Sequence, residues 1–357
     1  MAYVSGHGFG HSTRVGEVLR AVREREPALP IAVVTSAPER LFRDALPGGL
    51  EFRRLECDVG LAQPHALEID EQATLGRWEA FQAGDTERGE GESDWLRRAG
   101  ARLVLGDIPA LAFAAASRAG VPAVGLANFS WDWVYRHLAE RVPGLGEAAG
   151  ACAAAYGSAE LLLELPFAGD LSAFPRREPI PLVARRPVVG RGEARRRLGL
   201  DDRPVVLVSF GGLGFPGFSL DALDKLRQFR FIVSPGARTE PPNVIGLTAE
   251  RVAALGLAYP DLVGAADVVL TKPGYGIVSD AIAAGTRLVY TDRGDFPEYG
   301  VLVREMPRFL ACEYVSRQDM TAGRLGPALE AVLRTPMPAP PPLDGAAVAA
   351  ERLLGRL

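Results

Sequence analysis

The sequence predicts a two-domain α/β protein, and three observations carry that expectation. At 357 residues the chain is longer than one ordinary core accommodates. Short aliphatic runs alternate with helical stretches from end to end, which implies right-handed βαβ crossovers and parallel sheets. A segment dense in proline and charge, Phe174 to Pro181, separates two such series and reads as a linker that extends to residue 187. The expected domains are residues 1–175 and 188–340, two Rossmann-like parallel-sheet units facing a cleft. Residues 341–357 are expected as a last helix that packs back on the first domain.

The first series opens with a strand at Ala2–Ser5 and a helix at Thr13–Glu26, whose Val15, Val18, Leu19 and Val22 share one face. Ile31–Ser36 is the next predicted strand, and Pro38 opens a short helix. A strand at Arg102–Leu105 ends at Gly106-Asp107. A helix at Ala110–Arg118 then runs through Gly120 into a strand at Val121–Leu126. The second series has strands at Val205–Ser209, Phe231–Ser234, Val268–Leu270 and Leu288–Thr291, with a helix at Gly276–Ala284. Ala148–Tyr156 is alanine-rich and reads as a buried or interfacial helix. The proline cluster Pro336 to Pro342 is a stiff spacer before the last helix.

Composition narrows the function. Apolar residues make up 48% and charged residues 24%, the profile of a soluble enzyme. The net charge of −4 argues against a nucleic-acid partner. Four arginines between Arg191 and Arg197 read as a solvated helix face. Cys57, Cys152 and Cys312 are widely spaced, so neither a disulfide framework nor a zinc cage is expected, and a cytoplasmic location fits. The start of the chain has no signal-peptide pattern. No apolar run reaches the roughly 18 residues of a membrane span, although peripheral membrane contact stays open.

Chemistry-bearing residues gather after the predicted strands, at the sheet edge where such folds bind ligands. The first group is Ser5-Gly6-His7-Gly8-Phe9-Gly10-His11-Ser12-Thr13-Arg14. Its glycines allow close backbone approach, and the helix start offers free amides to an anion. The spacing is not that of a dinucleotide fingerprint. His7 and His11 are candidates for a general base toward a hydroxyl. The alternative is a hydrogen-bonded structural histidine beside a Ser12 helix cap. A metal held by both would need a third ligand that the sequence does not offer.

In the second group, Lys272-Pro273-Gly274-Tyr275-Gly276-Ile277-Val278-Ser279-Asp280, helix-start amides and Lys272 suit a diphosphate. Asp280, one turn inside the helix, could accept both hydroxyls of a ribose. Phe210-Gly211-Gly212-Leu213-Gly214 is a further glycine turn. Asp292 to Glu298, with Asp295 and Glu298, is either a ligand loop or solvated charge. Asn128-Phe129-Ser130-Trp131-Asp132-Trp133 could place an aromatic ring on a sugar and polar groups on its hydroxyls, or the tryptophans could simply pack in the core.

Taken together, SGHGFGHSTR, NFSWDW, FPRREPIPLVARRP, SFGG, AADVVLTKPGYGIVSDAIAAG and RGDFPE resemble, in the same order, the glycosyltransferase-like N-terminal half of plant L-arabinokinases. More distantly the chain is similar to the MurG-like and family 28 glycosyltransferases, inverting enzymes of the GT-B fold that use UDP-sugars. No phosphate loop of the kinase half's Gly-Leu-Ser-Ser type is present, so sugar-kinase activity is not implied. The resemblance implies that His11 stands near the reacting hydroxyl. It also implies that Gly274, Tyr275 and Gly276 form the diphosphate turn, Asp280 the ribose ligand, and Asp295 to Glu298 the donor-sugar loop. Asp280 stands where the family has glutamate, and Lys272-Pro273 where it has small residues.

The expected function is transfer of a sugar from a UDP-sugar to a hydroxyl or amine acceptor, with inversion and with no metal or other cofactor required. Donor contacts are expected from Gly211, Gly212, Lys272, Gly274, Tyr275, Gly276, Asp280, Asp295 and Glu298. Acceptor contacts are expected from Gly8, Phe9, Gly10, Arg14, Asn128, Trp131 and Asp132. A nucleotide-sugar epimerase on the same fold and a non-catalytic nucleotide-sugar sensor are the rivals. Sequence leaves the sugar, the acceptor and the oligomeric state open.

Overall fold

The computed structural model describes residues 1–46, 48–65, 67–210, 220–233 and 241–357. The first domain carries β1 (Ala2–Val4), β2 (Ala32–Thr35), β3 (Glu51–Arg54), β4 (Ala62–His65), β5 (Glu68–Asp70), β6 (Val104–Asp107), β7 (Ala123–Ala127), β8 (Leu161–Glu164) and β9 (Arg177–Pro179). Its helices are α1 (Phe9–Arg25), α2 (Arg40–Arg43), α3 (Glu71–Gln82), α4 (Asp85–Arg98), α5 (Ala110–Ala119), α6 (Trp131–Leu138) and α7 (Leu145–Tyr156). Seven strands form a parallel sheet in the order β3-β2-β1-β6-β7-β8-β9, while β4 and β5 pair separately as an antiparallel ribbon.

The second domain has α8 (Arg191–Arg197), β10 (Val205–Ser209), β11 (Arg230–Val233), β12 (Val244–Gly246), α9 (Ala249–Ala254), α10 (Tyr259–Ala265), β13 (Val268–Thr271) and α11 (Tyr275–Ala284). It continues with β14 (Arg287–Tyr290), α12 (Pro297–Glu305), β15 (Cys312–Tyr314), α13 (Arg317–Thr321) and α14 (Gly326–Arg334). Its parallel sheet runs β12-β11-β10-β13-β14-β15. In both sheets the order turns back next to the first strand, at β1/β6 and at β10/β13. The carboxyl ends of those strands are where an open α/β sheet binds ligands.

Strands such as Val205-Val206-Leu207-Val208 are buried on both faces, which is why they read as continuous apolar runs rather than alternations. The two domains do not have wholly separate cores. One apolar cluster joins Val4, Val33, Leu105 and Leu163 of the first sheet to Leu207, Ile232, Val269 and Leu288 of the second. Ile180, Leu182 and Val183 of the connecting segment and Leu353 of the last helix, α15 (Gly345–Leu354), belong to the same cluster. That helix packs against α1. No helix among the described residues is long and apolar enough to cross a membrane.

Two local expectations are corrected. Helix α1 begins at Phe9, a full turn before Thr13, because Gly8 turns the chain at φ +82°. Ser12 therefore lies inside the first turn instead of capping it, and its buried hydroxyl has no hydrogen-bond partner. The second correction concerns the linker: residues 177–179 within it add β9 to the edge of the first sheet. Pro179 sits there without disturbing the ladder because an edge strand tolerates a missing N–H.

Candidate active site

His11 stands in the first turn of α1 and is only 5% exposed. Its Nδ1 lies 2.8 Å from Oδ1 of Asp107, the last residue of β6 and itself fully buried. Arg14, one turn along α1, donates from Nε to Asp107 Oδ2 at 2.6 Å and from Nη2 to Oδ1 at 2.5 Å. Burial alone would raise the Asp107 pKa, but the Arg14 charge, then His11, outweigh it and hold the carboxyl below its ordinary range. An ionised Asp107 accepts Nδ1–H from His11, and Nε2 is then the basic nitrogen of the ring.

His7 differs. The backbone N–H of Leu61 donates to its Nδ1 at 3.4 Å, and the ring packs edge-on against Trp131. Burial, then the nearby charges of His11, Arg293, Lys272 and Arg77, push its pKa down to about 3. Those charges also place Lys272 and Arg293 of the second domain near the first-domain loop. Asp58, after β3, accepts from Ser5 Oγ at 3.1 Å and from Trp131 Nε1 at 2.8 Å, and burial raises its pKa.

The two glycine turns meet. A Cβ on Gly276 would lie 3.3 Å from Cα of Gly10, tighter than ordinary packing, so the crossing leaves little room for a side chain at 276. Alongside, the Arg14 guanidinium stacks 5.2 Å from the Tyr275 ring, and the Tyr275 hydroxyl accepts from Val183 N at 3.2 Å. Arg14 Nη1 donates to Asn128 Oδ1 at 2.6 Å, and Asn128 Nδ2 donates across the cleft to Glu298 Oε1 at 2.7 Å. Arg293 holds the other Glu298 oxygen, and its guanidinium lies over the Phe296 ring.

The remaining expected contacts fall as follows. Phe9 is exposed, and Gly8 and Gly10 flank it at the mouth of α1. Trp131 is buried, stacked on Tyr135 and close to His11, so its ring serves the core as well as the site. Asp132 is fully buried and its oxygens are held by Ser130 and Arg136. Asp295 bridges to the first domain through His137 Nε2 at 2.9 Å and through Arg141. Asp280 is 2% exposed and receives the Arg185 guanidinium together with the Arg185 backbone N–H at 3.2 Å. Gly274 borders the Arg293 guanidinium. Gly211 and Gly212 lie outside the described residues.

Burial and Arg293 lower the Lys272 pKa to about 7. Among the described residues no group of acidic, histidine and cysteine side chains has the grouping of a metal site. Sequence reasoning missed Asp107, Asp58 and Arg185. Asp107 had a visible signal, since it ends a predicted strand at the ligand edge; the other two had none.

No family profile matches the sequence. The chain is 34% identical over 339 residues to an L-arabinokinase of Arabidopsis thaliana, a match covering 92% of this chain and 31% of that protein. It is 32% identical over 192 residues to a UDP-N-acetylglucosamine–N-acetylmuramyl-(pentapeptide) pyrophosphoryl-undecaprenol N-acetylglucosamine transferase of Clavibacter michiganensis, covering 50% of this chain and 47% of that one. The chain thus spans about a third to a half of these curated relatives. Among solved structures, Arabidopsis thaliana UGT89C1 complexed with quercetin matches with a TM-score of 0.62 at 15% identity, covering 99% of this chain and 92% of that one. The glycosyltransferase of kitacinnamycin matches with a TM-score of 0.59 at 19% identity, covering 99% and 93%. The chain has the GT-B fold. It resembles the N-terminal half of L-arabinokinase. Within that fold, the His11–Asp107 pair lies on the first domain and Lys272, Arg293 and the α11 amides on the second.

Proposed function

We propose that the chain transfers a sugar from a UDP-sugar to a hydroxyl or amine of a small acceptor, with inversion at the anomeric carbon. The carrying observation is the buried His11–Asp107 pair, set against the α11 turn at the Gly10–Gly276 crossing. Resemblance to a UDP-N-acetylglucosamine-dependent transferase supports the donor class. His11 takes the acceptor proton while the acceptor oxygen or nitrogen bonds to the anomeric carbon. The bond to the diphosphate breaks in the same step, and UDP leaves with the electron pair. A single displacement of this kind inverts the centre. Of the two histidines, His11 suits the base role: burial and nearby positive charges hold the His7 pKa down at about 3, which makes that ring a weak base at neutral pH.

The departing charge meets Lys272, Arg293 and the free amides at the start of α11, a preorganised set of positive groups that needs no metal or other cofactor. Lys272 gives this a pH signature. Its pKa of about 7 lies well below the ordinary lysine value. A diphosphate stabilises the ammonium form, so UDP affinity should fall as pH rises through and beyond 7. Calorimetry across this range should show that slope, and Lys272→Met should flatten it; the same slope in the variant would remove Lys272 from the diphosphate site.

Asp280 is proposed as the ribose ligand, with Arg185 yielding one carboxylate oxygen when nucleotide enters. Asp280→Ala should weaken UDP binding by about 1–3 kcal/mol, the usual cost of a lost hydrogen bond to a charged group. Unchanged affinity with lowered thermal stability would make Asp280 an anchor for the connecting segment instead. The overall reading is tested by a thermal-shift screen of nucleotides and nucleotide-sugars, followed by turnover with candidate acceptors. Binding without turnover across a broad acceptor panel would favour a sensor.

A further inference from the structure

A line of buried side chains runs from the base to the far side of the cleft. His11 meets Asp107, Asp107 accepts two bonds from Arg14, Arg14 donates to Asn128, and Asn128 donates to Glu298. Arg293 closes the far end. Asp107 and Asn128 are wholly buried, and Glu298 is 2% exposed. Asn128 is the joint between domains, and its chemistry is specific. A guanidinium only donates and a carboxylate only accepts, so an amide can satisfy both at once, with its oxygen toward Arg14 and its nitrogen toward Glu298. An aspartate at 128 would set two carboxylates against each other. A leucine would strand the Arg14 donor and the Glu298 acceptor in dry surroundings.

We propose that Asn128 is a positioning residue that couples docking of the donor-side Glu298 to the proton affinity of His11. The proposal rests on His11 being the base. Arg14 Nη2 lies 3.1 Å from His11 Nδ1 as well as on Asp107. Its positive charge opposes protonation of the ring to the degree that neighbouring anions leave it uncompensated. With Glu298 docked through Asn128, two carboxylates offset Arg14. With Glu298 withdrawn by domain separation, only Asp107 does. The base is therefore strongest in the closed cleft, where a donor can react, and weaker when the cleft opens.

Other charged or titratable groups around His11 are Asp58 after β3, His7 ahead of α1 and Asp107 at the end of β6. All three belong to the first domain. From the second domain, Tyr275 reaches Arg14 directly, Glu298 reaches it through Asn128, and Lys272 and Arg293, the latter paired with Glu298, act on the same loop at His7.

The test reads His11 directly and needs no acceptor. Side-chain NMR titration would follow the histidines in wild type, Glu298→Gln, Asn128→Ala and the double variant, with His65 as internal reference. Glu298→Gln keeps the shape and removes the charge. It should lower the His11 midpoint by about half a pH unit or more, as expected when a buried charge is deleted nearby. Asn128→Ala should shift it the same way, and Glu298→Gln should add little in that background. Should Asn128→Ala not fold, Asn128→Ser is the substitute. Unmoved His11 midpoints in both single variants would overturn the proposal. So would a Glu298→Gln shift that survives at full size without Asn128. If the coupling is present but no nucleotide-sugar is ever turned over, the glycosyltransferase reading falls and the coupling stands.

Discussion

Replacing His11 with alanine should cut turnover by about 10²- to 10⁴-fold, the usual contribution of a positioned general base. UDP affinity should stay nearly unchanged, because the proposed donor contacts lie on the second domain. The fold should also survive. Asp107 keeps its two bonds from Arg14, so no buried carboxylate is orphaned when the ring is removed. The measurement is turnover with a working acceptor, alongside calorimetric titration of UDP into the same variant. His7→Ala should be milder, since His7 accepts a backbone N–H and packs on Trp131, as a loop-shaping residue would. Full activity in His11→Ala would remove the assigned base. A larger loss in His7→Ala than in His11→Ala would exchange the two roles.

How far the site was legible depends on how local each signal is. The parallel strands and their following glycine turns are local: aliphatic runs such as Val205–Ser209 and Val268–Thr271 bury both faces, and glycine marks where the backbone must turn or approach closely. Hence the alternating pattern, the two series and the ligand edge could be read directly. Strand β3 could not, because Glu51-Phe52-Arg53-Arg54 is a charged edge strand held in the sheet by pairing with β2. Strand β9 was hidden by Pro179 and by the charge around it. Helix α4 is dense in charge, and its buried face is Gly89, Glu92, Ser93 and Leu96, so it shows no apolar stripe; α3 buries only Thr74 fully, with Leu75, Trp78 and Phe81 partly buried.

Partners are less legible than positions. His11 and Arg14 stood out because they follow a glycine turn, but their common acceptor lies more than ninety residues away, at Asp107. The acidic candidates Asp280, Asp295 and Glu298 were recognised as carboxylates at a ligand edge. That each is held by an arginine could not be read, since two of those arginines, Arg185 and Arg141, lie in other parts of the chain. A sequence shows which residues can bond a ligand; only the fold shows which of them the protein has already engaged.

The second large effect is expected at Asp107, and it falls on stability and activity together. Asp107→Ala leaves the buried Arg14 guanidinium without the carboxylate that takes its Nε and Nη2. Breaking a buried ion pair from one side typically costs about 3–5 kcal/mol, because an uncompensated charge remains in dry surroundings. Urea unfolding should therefore show a lower midpoint with little change in slope. Turnover should fall as well, since His11 loses the acceptor that orients Nδ1 and stabilises the protonated ring. The two losses can be separated by removing Arg14 too. Arg14→Met in the Asp107→Ala background deletes the stranded charge and should recover much of the lost stability, as expected when both partners of a buried pair are replaced. It should not restore turnover, because the histidine still lacks its carboxylate. A double variant no more stable than Asp107→Ala would show that the cost does not arise from the stranded arginine. Recovery of turnover along with stability would show that Asp107 acts by holding the fold together, and that His11 does not depend on it for catalysis.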